Sequence, residues 1–182
     1  MKEEYFDVLD ENGNKTGEIK PRSAVHRDGD WHRSVHIWAL NKNGDIILQR
    51  RSANKETNPN MITISCAGHL SAGDDSLSSA IRELKEELNL DAKPEDLQFV
   101  TTLKRSKKHP NGLNNNEFTD LYILRTNQRF EDLRRQEEEV SELFLVPYKE
   151  FKQMVENRQP DLLIHDDEFA AAFSILDEEF DK

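Results

Sequence analysis

One segment limits the possible folds more than any other. Between Gly68 and Leu90 the chain reads GHLSAGDDSLSSAIRELKEELNL, with Leu77, Ala80, Ile81, Leu84 and Leu88 at i, i+3, i+4, i+7 and i+11. That spacing predicts a helix over 76–89 with a single apolar stripe, which must be buried against another layer of structure. About 120° round from the stripe, Glu83, Glu86 and Glu87 crowd into an arc of about 100°. Asp74 or Asp75 stands where an N-cap is needed, and acids there suit the positive end of the helix dipole.

The surroundings of this helix read mostly as strands. Tyr5–Asp10 is strand-like and is followed by an Asn-Gly turn. Ser34–Leu40 and Ile46–Arg50 flank the turn Asn41-Lys42-Asn43-Gly44-Asp45, the clearest hairpin in the chain. Residues 52–61 are polar, contain Pro59 and read as a loop. Ile62–Ser65 reads as a short strand. Residues 97–104 and 117–125 predict two strands joined by the polar loop KRSKKHPNGLNN, and Val140–Val146 predicts another. Pro147 suits the first turn of a helix reaching about Val155. A last helix, 166–180, carries Phe169, Ala172, Phe173 and Leu176 on one side. Strands gathered around one central helix indicate an α+β fold, a mixed sheet sandwiched between helices. The 182 residues fit one domain: an N-terminal strand and hairpin extension over 1–30, the central segment 68–90, and C-terminal helices over 147–182.

Charge narrows the partners. The net charge is −11, and residues 131–182 hold 16 acidic against 6 basic residues, so the part before residue 131 is nearly neutral. No summed positive field attracts duplex nucleic acid. Apolar runs such as Ile46-Ile47-Leu48 are too short to span a bilayer, and the first 25 residues lack the apolar region of a secretory signal. The single cysteine, Cys66, makes no internal disulfide and reads as a small buried residue; a cytoplasmic protein is expected.

Three carboxylates on one helical face repel each other unless a cation neutralises them, and oxygen-rich clusters of this kind suit Mg²⁺ or Mn²⁺. Taken alone, such a run is as well read as a solvated acidic face. The complete spacing says more. It resembles the Nudix box: Gly, five residues, Glu, seven residues, then Arg-Glu-apolar-x-Glu-Glu-x-Gly-apolar. Gly68 opens the pattern, Asp74 takes its first acidic position, and Arg82-Glu83-Leu84-Lys85-Glu86-Glu87-Leu88-Asn89-Leu90 closes it. Asp74 replaces Glu and Asn89 replaces Gly; Asn is the next-best residue for a left-handed helix end.

The resemblance, extended over roughly residues 30–150, implies metal-dependent hydrolysis of a small-molecule diphosphate linked to another moiety, usually a nucleoside. It makes Glu83, Glu86 and Glu87 the catalytic and metal-holding groups. The Gly68 carbonyl becomes a further ligand, and Asp74 and Arg82 have structural roles. Arg82 can pair with Glu86 at i, i+4 or hold the loop before the helix. Markers of substrate class some 15–18 residues after the box are absent at Arg105–Lys108.

Residues 8–52 and the CAGH at 66–69 resemble one branch of this superfamily, the type 1 isopentenyl-diphosphate isomerases and their hydrolase relatives. In the isomerases a catalytic Cys directly precedes Gly-His. Here that residue is Ala67, and Cys66, one residue earlier, belongs to the opposite strand face. The isomerase pair of metal-binding Glu becomes Asn115 and Glu117, and a C-terminal Trp has no counterpart. The resemblance implies that His26, His32 and His69 are metal ligands, although strand histidines also simply pack; Glu117 is a further candidate ligand. Arg50 and Arg51, with Lys104 and Arg105 of the basic run KRSKKH, are candidates for attracting phosphate. The alternatives to a hydrolase are an isopentenyl-diphosphate isomerase and a non-catalytic nucleotide-binding Nudix module. Oligomeric state stays open, since the hairpin over 4–20 can pair within the chain or with another subunit.

Overall fold

The structure, a computed structural model, describes residues 3–110 and 112–180. The chain runs β1 (Tyr5–Leu9), β2 (Lys15–Pro21), α1 (Arg22–Asp28), β3 (Trp31–Asn41), β4 (Asp45–Arg51), β5 (Ile62–Thr63), β6 (Cys66–His69) and α2 (Ser76–Leu88). It continues through β7 (Leu97–Lys108), β8 (Asn114–Thr126), β9 (Val140–Pro147), α3 (Tyr148–Glu156) and α4 (Asp166–Phe180).

Strand β3 is the axis of the sheet. Parallel β8 lies along its whole length, from Trp31↔Asn116 to Asn41↔Thr126. Its other edge is shared: Leu9 of β1 pairs Trp31, β6 pairs Ser34–Ile37 through His69–Cys66, and Leu40 pairs Ile46 of β4. From that single pairing β4 diverges to pair with β5 and β9, and β6 begins beside the point where they part, at Cys66 opposite Ile37.

Alternation along β3 sends successive side chains to opposite layers. Val35, Ile37 and Ala39 share a core with Ala80, Leu84 and Leu88 of α2. Trp38 and Leu40 share a second core with Phe151 of α3 and Phe169, Ala172 and Leu176 of α4. Trp38, fully buried, is met edge-on by Phe151, Phe169 and Phe173. The sheet is thus sandwiched between α2 and the C-terminal helices, the α+β arrangement expected. Odd residues of β3 face the carboxylate helix and even residues face α4. No helix among the described residues is long and apolar enough to cross a membrane.

Three local expectations are corrected. The run after Lys104, of which residue 111 lies outside the described residues, is not a loop: β7 continues to Lys108, paired with β8 as far as Asn114, and beyond it the His109 amide bonds the Leu113 carbonyl. Both faces are polar there, so hydrophobic alternation is silent and backbone pairing decides. Helix α1 has no long apolar stripe to announce it; only Val25 and His26 are buried, and Gly29 stops it at a left-handed φ of 74°. The strand expected at Ile62–Ser65 is two short ones. Between them Ser65 leaves the ladder, and its hydroxyl accepts from the Ala39 amide and donates to the Ile47 carbonyl.

Candidate active site

Helix α2 is delimited as its sequence dictates. Asp75, not Asp74, is the N-cap and accepts from the Ser78 amide at 2.9 Å. Asp74 closes the turn before it, its amide bonding the Ser71 carbonyl. At the other end Asn89 adopts the left-handed conformation (φ 51°), and the Leu90 amide bonds back to the Leu84 carbonyl. Asn therefore fills the C-capping role that Gly has in the Nudix box.

The acidic arc is divided by the packing of the helix. Glu83 and Glu87 turn toward the sheet and are buried, whereas Glu86 remains half-exposed. Glu83 lies directly over Gly68 of β6: a Cβ on that glycine would stand 2.0 Å from the Glu83 carboxyl carbon. Glu87 accepts from Gln49 of β4 at 3.1 Å and from the Cys66 thiol. Arg82 fills both roles open to it. It pairs with Glu86 and Glu83 at 2.9 Å each and donates to the His69 carbonyl at 3.0 Å. The helix is thereby pinned to the end of β6.

Burial pushes the carboxyls of Glu83 and Glu87 up to about 7; for Glu83 the neighbouring Arg82 only partly offsets it. This is a cluster short of positive charge. Carboxylate oxygens and a strand carbonyl are the donors a hard divalent cation takes, so the residues fit Mg²⁺ or Mn²⁺.

A stability consequence follows from these raised values. The unfolded chain ionises near 4.5 and the folded one near 7, so the folded state binds more protons between them. Metal-free stability from this source is complete below about pH 4.5 and is lost as pH rises through 7. His26, His69 and His165, lowered by desolvation to about 3, 4 and 4, act in the opposite sense, so the comparison must be between variants. In chelator, Glu87→Gln is expected to match the parent near pH 5 and to exceed it near pH 8 by on the order of 1–3 kcal/mol. Denaturant melts at the two pH values measure this; a pH-independent difference contradicts it.

On the other face of the sheet lies a second cluster. His26 of α1, His32 of β3 and His69 of β6 offer nitrogens that all lie within 4.8 Å of one another. His69 Nε2 is 3.0 Å and His32 Nε2 3.5 Å from Glu117 Oε1 on β8. His32 Nδ1 donates to the Asp30 carbonyl, 3.1 Å away, and its Nε2 lies 3.3 Å from His26 Nε2. Phe6 stacks on His32 and His69. Burial keeps His26 and His69 neutral. Desolvation opposes ionisation of Glu117 too, yet hydrogen bonds from His32 and His69 hold it well below the usual carboxylate range. Asn115 shares the face of Glu117, and its buried Oδ1 has no partner among the described residues. Three imidazoles with one carboxylate beside them form a donor set that fits a borderline transition ion.

The other expected cations are dispersed. Arg51 stands beside Glu87 and secures the 52–61 loop through the Thr57 and Asn58 carbonyls. Arg50, on the opposite face of β4, pairs with Glu142 and Asp161. Because β7 is a strand there, Lys104 and Arg105 point to opposite faces and form no common patch. Lys104 covers the Trp31 and Phe118 rings, and Arg105 pairs with Asp167 and Glu168. Sequence reasoning missed Gln49, Phe6 and the hub at Glu168, whose acid signals only a helix start. Alternation of His32 and His36 was the available sign that His36 lies on the histidine face.

Fold and site together describe a protein that gathers carboxylates and imidazoles at the end of one strand, in two donor sets suited to divalent cations. A NUDIX domain model matches residues 30–166, and the chain belongs to the Nudix family. It is 40% identical over 183 residues to Nudix hydrolase 3 of Arabidopsis thaliana, covering 97% of this chain but only 24% of that protein. An uncharacterized Nudix hydrolase of Clostridium acetobutylicum is 35% identical over 161 residues, 87% of this chain and 77% of the relative. An isopentenyl-diphosphate Delta-isomerase of Serratia proteamaculans is 30% identical over 121 residues, 66% of this chain and 65% of the relative. Among solved structures, a Deinococcus radiodurans protein has a TM-score of 0.69 at 18% identity, with 93% of this chain and 98% of that one covered. The NUDIX domain of Shewanella oneidensis NrtR, complexed with ADP ribose, has a TM-score of 0.58 at 17% identity, with 79% and 87% covered.

Proposed function

We propose that the chain is a divalent-metal-dependent hydrolase of small-molecule diphosphates linked to another moiety, such as a nucleoside, cleaving the phosphoanhydride by attack of water. One observation carries this reading: Glu83 is buried over Gly68 and Glu87 beside Gln49 and Cys66, with less cationic charge than two ionised carboxylates require. Glu83, Glu86, Glu87 and the Gly68 carbonyl would hold the metal. When bound, Mg²⁺ or Mn²⁺ supplies charge neutralisation for the diphosphate and acidifies a water. Arg82 fixes the orientation of Glu83 and Glu86 and ties them to β6. Arg51 places a positive charge beside Glu87, where a phosphate oxygen can meet it. A carboxylate of the trio takes the proton from the attacking water. The relatives' names support hydrolysis, and the ADP ribose bound by NrtR's NUDIX domain supports a nucleotide-linked substrate.

The isomerase reading is motivated by the Serratia relative and by the histidine cluster. Against it, the Cys66 thiol is fully buried on the α2 side, donates to Glu87 and is pushed well up by burial. Position 67, on the opposite face beside His36, is alanine. The thiol that the isomerases carry at that position is here a methyl group.

The test is a product screen over nucleotide sugars, dinucleoside polyphosphates, nucleoside triphosphates and prenyl diphosphates, with Mg²⁺ and with chelator. Mg²⁺-dependent release of phosphate-bearing products is expected. Dimethylallyl diphosphate formed from isopentenyl diphosphate would establish the isomerase instead. No turnover together with no Mg²⁺ binding at millimolar concentration would leave a non-catalytic module.

A further inference from the structure

Of the β3 residues that face α4, one offers an unused polar atom. His32 is engaged in the histidine cluster, and the hydroxyls of Ser34 and Thr119 satisfy each other at 3.0 Å. Trp38 donates its indole N–H to Glu168 at 2.8 Å. His36, between them, also donates Nδ1–H to Glu168 at 2.8 Å, while its Nε2 has no partner among the described residues. Its side chain is 16% exposed, because the residue across from it on β6 is only Ala67.

Glu168 is fully buried, 132 residues away in sequence, and Arg105 adds a third bond to it at 3.1 Å. A carboxylate so placed within an apolar core holds the imidazole in one orientation and one tautomer. The His165 ring stands 6.1 Å from that of His36, and His69 and Glu117 lie along the same face. The polar edges of His36, His69 and Glu117 therefore share the face that carries Ala67.

We infer that His36, oriented by Glu168, is a specificity-determining contact for the group attached to the diphosphate, selecting a moiety that carries hydroxyl or N–H groups over a hydrocarbon chain. This rests on the diphosphate reading above and assigns its distal subsite. A hydroxyl can answer Nε2 whether that atom accepts or donates. A prenyl chain can do neither and would cover the imidazole edge without a partner, at a cost in affinity.

Calorimetric binding of ADP ribose and of geranyl diphosphate, with Mg²⁺, tests the assignment. Two variants are compared with the parent. His36→Asn retains a donor near the Nδ1 position, and so the Glu168 bond, but removes Nε2; His36→Leu removes both. ADP ribose is expected to bind the parent at least ~10-fold more tightly than geranyl diphosphate. His36→Asn should lose about 10-fold for ADP ribose and little for geranyl diphosphate. If His36→Leu folds, as judged by its melting transition, it should narrow the discrimination further. Equal affinities for both ligands in the parent, or an unchanged ratio in His36→Asn, would overturn the inference. Binding is read without turnover, so discrimination in a parent that hydrolyses neither ligand leaves this subsite standing, while the hydrolase reading is decided by the product screen.

Discussion

On the proposed reading, replacing Glu83 by Gln is expected to lower turnover by on the order of 10³-fold, equivalent to about 4 kcal/mol of transition-state stabilisation. The size follows from position. Of the three acids on α2, Glu83 is the one seated over the β6 backbone, with Arg82 at 2.9 Å and Gly68 beneath it. A cation shared by the helix and the Gly68 carbonyl would meet Glu83 first. Gln preserves shape and an acceptor oxygen but removes the charge. The fold is expected to persist, because the buried acid is disfavoured as an anion and its carboxyl is pushed up to about 7. The measurement is steady-state kinetics on whichever diphosphate the screen identifies, together with Mn²⁺ affinity by calorimetry or electron paramagnetic resonance. Retained kcat with retained metal affinity would remove Glu83 from the mechanism.

Gly68→Ala should be nearly as damaging, for a steric reason. Its Cβ would stand 2.0 Å from the Glu83 carboxyl carbon and 2.4 Å from Oε1. Those distances are far inside contact, so the carboxylate must leave or β6 must move. Moving β6 is resisted by its pairing with β3 from Ser34 to Ile37 and by the Arg82 bond to the His69 carbonyl. Glu83 is therefore displaced, turnover falls about 10²-fold or more, and overpacking costs about 1–3 kcal/mol. A double-mutant cycle isolates the cause. Adding Glu83→Ala to Gly68→Ala should restore the melting temperature but not activity, because the methyl then meets no carboxylate. Strictly additive stabilities would mean that the two residues do not compete for one space.

The site was unevenly legible in the sequence. The Nudix-box spacing located α2, its apolar stripe and its capping residues, because each of those is set within a turn or two of chain. Asn89 was readable as a left-handed end from its chemistry alone, and its φ of 51° agrees. The histidines were recognisable as a set only through the isomerase resemblance; nothing in the spacing of 26, 32 and 69 brings three imidazoles within reach of Glu117. The basic run at 104–109 misled, because a strand with two polar faces has the composition of a loop. Its lysines and Arg105 consequently appeared to be one patch, whereas pairing with β8 sends neighbours to opposite sides.

By itself the sequence determined angles and faces. Successive residues on a helix advance by about 100° and on a strand by about 180°, so Glu83, Glu86 and Glu87 had to share an arc, and Cys66 and Ala67 had to part. Only the tertiary structure decided what covers each face. Docking of α2 over β6 buried Glu83 and Glu87 and left Glu86 half-exposed. Packing of α4 on the even face of β3 brought Glu168 to His36 and Trp38. The division has a physical basis: local periodicity is fixed by covalent geometry, but burial, and with it the charge state of a carboxylate or imidazole, depends on partners far away in the chain.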